Sequence, residues 1–360
     1  MIDRRNFLKG FAVLPFAASI YARSPKTQMP KRLIKPKRLY AGDTVAVIAP
    51  SSGISAKGFE KGLKHLESLG FKPKVGEFAR GKNGFLAATD AERLKDLHWA
   101  FSDNDVKGVW CIRGGYGAAR LLPFINYNII KRNPKVFIGY SDITALHMAF
   151  HYETGLVTFH GPVAASTFTD YTRANCLNVL MNPQNDYVVK LSPPTKPEPE
   201  IDANPEDEAK KTKEPPVTLE TITAGVARGR LIGGNLSLVS SLAGTKYGLN
   251  KLKNNILFLE DVGELPYRID RMLTQLLQSA DLKSLSGIAL GHFTDAGGVK
   301  EGESQTVLDV LRDRLGNLGI PVIYGLSFGH INDQFTLPEG IQAELDTKNA
   351  TVTFLETAVR

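Results

Sequence analysis

A chain of 360 residues with 42% apolar and 22% charged side chains has ordinary globular composition and length enough for two domains of about 150 residues. No stretch approaches the ~20 apolar residues that a membrane span needs; the excess of 44 basic over 37 acidic residues is spread out, so neither a polytopic membrane protein nor a nucleic-acid partner fits. Two cysteines, Cys111 and Cys176, exclude a disulfide framework and a Cys-rich zinc site.

The first residues read as an address. Arg4-Arg5-Asn6-Phe7-Leu8-Lys9 precedes a mildly apolar run from Gly10 to about Ala22, too short for a stable anchor and matching an export signal of the twin-arginine type. Ile20-Tyr21-Ala22 is an imperfect small-x-small cleavage pattern. The signal is therefore set at residues 1–22, with the mature protein expected in the periplasm or otherwise outside the cytoplasm, and the cytoplasm as the alternative. An amphipathic N-terminal helix with two chance arginines is the plainer reading.

From Gly42 onward, short apolar runs alternate with helix-period segments, which predicts an α/β fold with a parallel sheet and crossover helices. Thr44 to Ala49 reads as a buried strand ended by Pro50-Ser51-Ser52-Gly53. A helix follows with Phe59, Leu63 and Leu66 on one face and Gly70 placed to cap it. Thr89-x-x-Glu92 is a capping-box signature for a second helix. Strands are predicted at Val106 to Ile112 and Val136 to Gly139, each running into a glycine-containing turn. Between about Leu191 and Thr223 seven prolines interleave with Lys, Glu and Asp, and aromatics are absent. Such a stretch cannot bury enough apolar surface to offset its chain entropy, so a solvated linker or surface excursion is expected. Folding signals resume after Gly225, with strands at Asn255–Leu259, Gly287–Leu290 and Pro321–Tyr324 and a final pair near Ile341–Leu345 and Thr351–Phe354. The domain expectation is 36–185 for the first unit, 186–224 for the connection and 225–360 for the second.

Four segments could carry chemistry. In Gly139-Tyr140-Ser141-Asp142-Ile143-Thr144 an apolar strand ends and helical periodicity starts at once. Ser141 then faces the exposed N–H groups and positive dipole end of a helix, where an alkoxide is favoured and the Asp142 N–H could serve an oxyanion; a plain N-cap accounts equally for Ser-Asp. Arg113-Gly114-Gly115-Tyr116-Gly117 lets backbone approach a ligand closely, or is simply a tight turn; neither a dinucleotide fingerprint nor a Walker motif is completed. Leu259-Glu260-Asp261 puts a carboxylate at the end of an apolar strand, where it could orient a histidine, or is an exposed acidic turn before the Pro266 helix. Gly325-Leu326-Ser327-Phe328-Gly329-His330 follows another strand. Its Gly-x-Ser-x-Gly spacing imitates a nucleophile elbow, but that elbow must run into a helix with an acid and then a histidine later in the chain; here a loop-like stretch follows and no histidine comes after His330, so Ser327 is rejected as a nucleophile. His147 and His151 stand four apart on a helix without the intervening glutamate of a metalloprotease, and no metal is assigned to them.

Taken together, these segments resemble the LD-carboxypeptidases, the serine-peptidase family of murein tetrapeptide carboxypeptidases and microcin-immunity hydrolases. The resemblance spans nearly the whole chain after the signal and includes Gly233-Gly234-Asn235-Leu236, Leu259-Glu260-Asp261-Val262-Gly263-Glu264 and Pro266-Tyr267-Arg268-Ile269-Asp270-Arg271. It implies an N-terminal Rossmann-like parallel-sheet domain and a C-terminal β-rich, swivelling, barrel-like domain, with the active site between them. By the same resemblance Ser141 is the nucleophile, His330 the general base and then acid, and Glu260 the residue that orients it, with backbone N–H groups of Gly115 and Asp142 as oxyanion donors. A murein peptide is the implied substrate, no metal or organic cofactor is needed, and a homodimer is usual. A basic residue should hold the terminal carboxylate: Arg113 and Arg268 are the candidates, with Tyr116 as a further substrate contact. The alternatives are the same triad acting on another amide, such as a peptidyl-nucleotide antibiotic, and a non-catalytic binder of cell-wall peptides. The Pro-rich insertion and the export signal depart from the family pattern.

Overall fold

The computed structural model describes residues 32–192, 218–296 and 305–360. The twin-arginine segment with its cleavage pattern and the Pro-rich stretch 193–216 lie outside the described residues. In the first half, β1 (Thr44–Ile48), β2 (Lys72–Val75), β3 (Val106–Cys111), β4 (Val136–Gly139) and β5 (Thr158–His160) pair in parallel in the order β5-β4-β3-β1-β2. The crossovers carry α1 (Ala56–Ser68), α2 (Asp90–Ser102), α3 (Tyr127–Arg132) and α4 (Thr144–Thr154), and α5 (Asp170–Leu180) follows β5. Strands β1, β3 and β4 are apolar runs buried almost throughout, as a sheet covered on both faces requires. The capping box forms: the Thr89 hydroxyl accepts from the Glu92 N–H, and the Glu92 carboxylate accepts from the Thr89 N–H. This satisfies two otherwise orphaned donors at the start of α2.

The second half is strand-rich, as expected. Short β6 (Tyr187–Val189) and β7 (Glu220–Thr223) flank the Pro-rich stretch, and both fall inside the 186–224 segment read as the connection. They join β8 (Val226–Asn235), β9 (Asn255–Val262), β10 (Gly287–Thr294), β11 (Val322–Tyr324), β13 (Gln342–Asp346) and β14 (Thr351–Phe354) in one eight-stranded sheet. Its order is β6-β14-β13-β8-β9-β10-β11-β7, with β8 to β11 parallel. Among the described residues β6 and β7 are its two ends, so the sheet is open and not closed into a barrel. Around it lie α6 (Leu236–Ser241), α7 (Pro266–Ser279) and α8 (Val307–Leu315). Pro266 opens α7, where a missing N–H is harmless, and the helix buries Ile269, Leu273 and Leu276 along one stripe.

The two halves are stitched together. Strand β12 (Leu337–Glu339), late in the chain, returns to the first sheet and pairs antiparallel with β5, Leu337 opposite His160 and Glu339 opposite Thr158. An apolar cluster runs from Phe137, Leu146 and Phe150 of the first half into Leu236, Leu257 and Leu273 of the second. The Asn235 N–H, at the end of β8, donates to the Thr144 hydroxyl at the start of α4, 3.0 Å away.

Candidate active site

Ser141 owes its position to a turn that leaves β4 with almost no room. Tyr140 is still extended (φ −147°), but Ser141 takes φ +63°, a left-handed conformation rare outside glycine and strained by about 1–3 kcal/mol. A single 3-10 turn (Ser141–Ile143) then leads into α4. The surroundings enforce the bend. A Cβ on Gly114 would sit 2.9 Å from the Ser141 Cβ and 3.1 Å from its Oγ, so the glycine after β3 packs directly on the serine. Beside it the buried Asp142 carboxylate accepts from the Ser51 hydroxyl at 2.5 Å and the Ala118 N–H at 2.8 Å. Burial raises the Asp142 pKa, and these hydrogen bonds act against that rise. Underneath, the Arg93 guanidinium, 1% exposed, donates to the Pro50 carbonyl, to the Gly117 carbonyl at 3.0 Å and to Asp90 at 2.6 Å. The loops after β1, β3 and β4 are thus lashed together at the carboxyl ends of the parallel strands, where open α/β sheets bind ligands.

The opposite wall comes from the second half. Glu260 lies in β9, fully buried, with Asn235 of β8 beside it in register. His330 follows the turn after β11, and its Nδ1 is 2.7 Å from the Glu260 Oε2. A carboxylate can only accept, so Nδ1 carries the proton and Nε2 is left as the basic nitrogen. Gly329 makes the approach possible, since a Cβ there would stand 2.9 Å from the Glu260 Cβ. Burial opposes ionisation of Glu260, but the charge and hydrogen bond of His330 prevail and hold it below the usual carboxylate range. The His330 ring packs on Tyr140, centroids 4.7 Å apart. The imidazole therefore meets the residue next to Ser141, and the segments carrying Ser141, Glu260 and His330 converge at the junction of the two halves.

Neighbouring Asp261 accepts from the Asn235 amide at 2.9 Å and from the Ser237 N–H and hydroxyl at 2.9 and 2.8 Å. Burial pushes its pKa up to about 6. Its role is to fix Asn235, the residue whose N–H reaches α4.

A cleft of about 490 Å³ opens at the loops after β1 and β3 and is lined by Ser52, Ser55, Lys82, Phe85 and Arg113 among others; Ser141, Glu260 and His330 are not part of its lining. The Arg113 Nη1 donates to the Gly53 carbonyl at 3.1 Å. Exposed Tyr116 and Phe85 meet edge to face with centroids 5.3 Å apart. Gly115, at φ +106°, packs against Ser52, whose hydroxyl accepts from the Tyr116 N–H at 3.0 Å. Arg268 stands elsewhere. It is exposed on α7, 3.6 Å from Glu264 and bonded to the Tyr267 hydroxyl, and it does not line the cleft.

The remaining sequence candidates are structural. Ser327 is buried and its Oγ accepts from the Ser192 N–H at 3.0 Å. His147 and His151 are buried on α4, where the His147 Nε2 donates to the Gly139 carbonyl at 2.8 Å. Cys111 and Cys176 are buried free thiols. Sequence reasoning missed Arg93, Lys82 and Asp261. Arg93 does leave a signal, because it lies four residues before Leu97 and eight before Phe101, a charge on the buried stripe of α2.

Residues 45–161 match the model of the LD-carboxypeptidase N-terminal domain and residues 228–345 that of the LD-carboxypeptidase C-terminal domain. The chain is 37% identical over 322 residues to a probable murein peptide carboxypeptidase of Bacillus subtilis, covering 88% of this chain and 93% of that one. It is 35% identical to the murein tetrapeptide carboxypeptidase of Pseudomonas aeruginosa over 84% of this chain and 92% of that protein. The crystal structure of an MccF-like protein from Bacillus anthracis superposes with a TM-score of 0.77 at 31% identity, covering 90% of this chain and 99% of that one. With both domains matched in order and the resemblance running through the elements that build the junction, the chain belongs to the LD-carboxypeptidase family of serine-type peptidases.

Proposed function

We propose that the protein hydrolyses the L,D-amide bond of murein tetrapeptides and releases the terminal D-alanine through an acyl-enzyme. The observation that carries this reading is the Glu260–His330 hydrogen bond placed against Tyr140 and the strained Ser141 turn. Glu260 fixes the ring so that Nε2 can take the proton of Ser141 Oγ while that oxygen attacks the carbonyl of the L-configured centre. The Gly115 and Asp142 N–H groups stabilise the oxyanion. Collapse of the tetrahedral intermediate breaks the C–N bond, and the proton on Nε2 passes to the departing amine of D-alanine. Water, deprotonated by His330, then attacks the ester and restores Ser141.

An exopeptidase must recognise a free carboxylate. Arg113 lines the cleft and precedes Gly114, which packs on Ser141, whereas Arg268 does neither; this favours Arg113, assisted by Lys82, as the counter-charge. Phe85 lines that cleft and Tyr116 packs on Phe85. The twin-arginine string supports a site of action outside the cytoplasm; an Arg4→Lys, Arg5→Lys protein is expected to accumulate inside the cell. The working form is a homodimer, expected to sediment at twice the chain mass. The decisive experiment is incubation with purified muropeptides of defined stem length, read by mass. Loss of one alanine from tetrapeptide by the native chain and none by Ser141→Ala supports the proposal, and retained turnover in the variant refutes it.

A further inference from the structure

His160 ends β5 and sits directly beside Gly139 in the strand register, two residues before Ser141. Its side chain is 2% exposed and its Nε2 lies 3.9 Å from the Glu260 Oε1. Neither ring nitrogen has a hydrogen-bond partner among the described residues, and neither does that carboxylate oxygen. Two complementary buried groups are thus aimed at each other across the junction between the halves. Leaving a buried donor and acceptor unmade is costly, and polar contacts around a reacting centre are often long before substrate binds. The ring is held from its other sides by Tyr140 at 6.1 Å, Phe258 at 5.4 Å and His147 at 6.3 Å between centroids. Burial pushes its pKa down to about 4, so at neutral pH it is an uncharged imidazole with one N–H to give.

Building on the proposed roles of Glu260 and His330, we propose that His160 is a positioning residue whose Nε2–H holds the Glu260 Oε1, so that Oε2 stays aimed at the His330 Nδ1. The first half of the chain thereby orients the acid–base pair of the second. Without this donor the carboxylate keeps only His330 and the neighbouring Asn235 amide, its grip on Oε1 loosens, and the imidazole loses part of its orientation toward Ser141.

The test compares His160→Phe, which keeps ring bulk without a donor, with His160→Gln, which keeps an N–H. Turnover of tetrapeptide is measured beside the low-field proton resonance of the His330–Glu260 hydrogen bond. The Phe variant is expected to lose about ten- to a hundredfold in kcat with KM changed less than about twofold and to shift or broaden that resonance. The Gln variant should recover most of the rate. A Phe variant with native kcat, or a loss that Gln shares with the resonance unmoved, overturns the assignment. Should the Phe variant not fold, nitrogen shifts of His160 in the native chain decide: the Nε2–H tautomer is expected, and the Nδ1–H tautomer overturns the proposal. Ser141→Ala measured alongside keeps the two ideas apart, because its full activity sinks the peptidase mechanism itself, whereas its inactivity beside an unaffected Phe variant sinks only the role of His160.

Discussion

The two walls of the site are prepared by different physics. On the Ser141 side the backbone does the work: a non-glycine residue at φ +63°, glycines pressed against it and a buried Arg93–Asp142 scaffold beneath. On the Glu260 side the backbone is a regular buried strand, and the preparation is electrostatic, an ionised carboxylate buried against an imidazole. The contrast teaches that a nucleophile is presented by shape and a base is tuned by charge. It also predicts that damage to the scaffold beneath the nucleophile appears in stability, whereas loss of the nucleophile itself or of a member of the second wall appears in rate.

The largest effect expected is the loss of about 10⁴-fold or more in kcat with Ser141→Ala, measured on tetrapeptide, at unchanged thermal stability. Glu260→Gln follows, with kcat lower by about 10³- to 10⁴-fold, because an amide can donate to Nδ1 and impose the wrong tautomer; a drop below tenfold breaks the electrostatic half of the comparison. Arg113→Gln should raise KM about ten- to a hundredfold through loss of a charge-assisted hydrogen bond, whereas Arg268→Gln leaves KM within about twofold. On the shape-built wall, Arg93→Leu is expected to lower unfolding free energy by about 2–4 kcal/mol, since the Pro50 and Gly117 carbonyls lose their donor; denaturant melts read this directly.

A last effect is one of pH and touches stability alone. Glu339 on β12 is fully buried and its pKa is raised well above the ordinary value by desolvation. The folded form therefore holds a proton that the unfolded chain releases above about pH 4.5. Its contribution to stability is complete below that pH and fades as pH rises toward the folded pKa, by up to about 1.4 kcal/mol per pH unit. Glu339→Gln removes this dependence, so its melting temperature relative to the native chain should climb between pH 4.5 and 8. A flat difference would show that the carboxyl ionises in place.

Much of this molecule is legible in its residues, and the illegible parts share a cause. β3 and β4 announce themselves as apolar runs, and α2 by its capping box. The ten-residue β8, by contrast, contains Arg228, Gly229, Arg230, Gly233 and Gly234, too few apolar residues for a strand signal. A Cβ on Gly233 would fall 2.0 Å from the Phe258 carbonyl oxygen and one on Gly234 2.5 Å from the Thr144 hydroxyl. Close backbone approach replaced side-chain packing there, and periodicity cannot report that. β12 is three residues with a proline and a glutamate, a strand only because β5 offers an edge. Glu260 and His330 stand 70 residues apart, so their encounter is a product of topology. Only the order of family motifs hinted at it, and nothing local distinguished Arg113 from Arg268.

The return of β12 to the first sheet has a consequence for synthesis. Residues 44–160 cannot complete their own sheet when they leave the ribosome, because the strand that pairs with one edge is made some 180 residues later. The nascent front half must wait with β5 unpaired on that side, a sticky margin that calls for chaperone cover. A chain cut short of Leu337 therefore leaves β5 without its antiparallel partner.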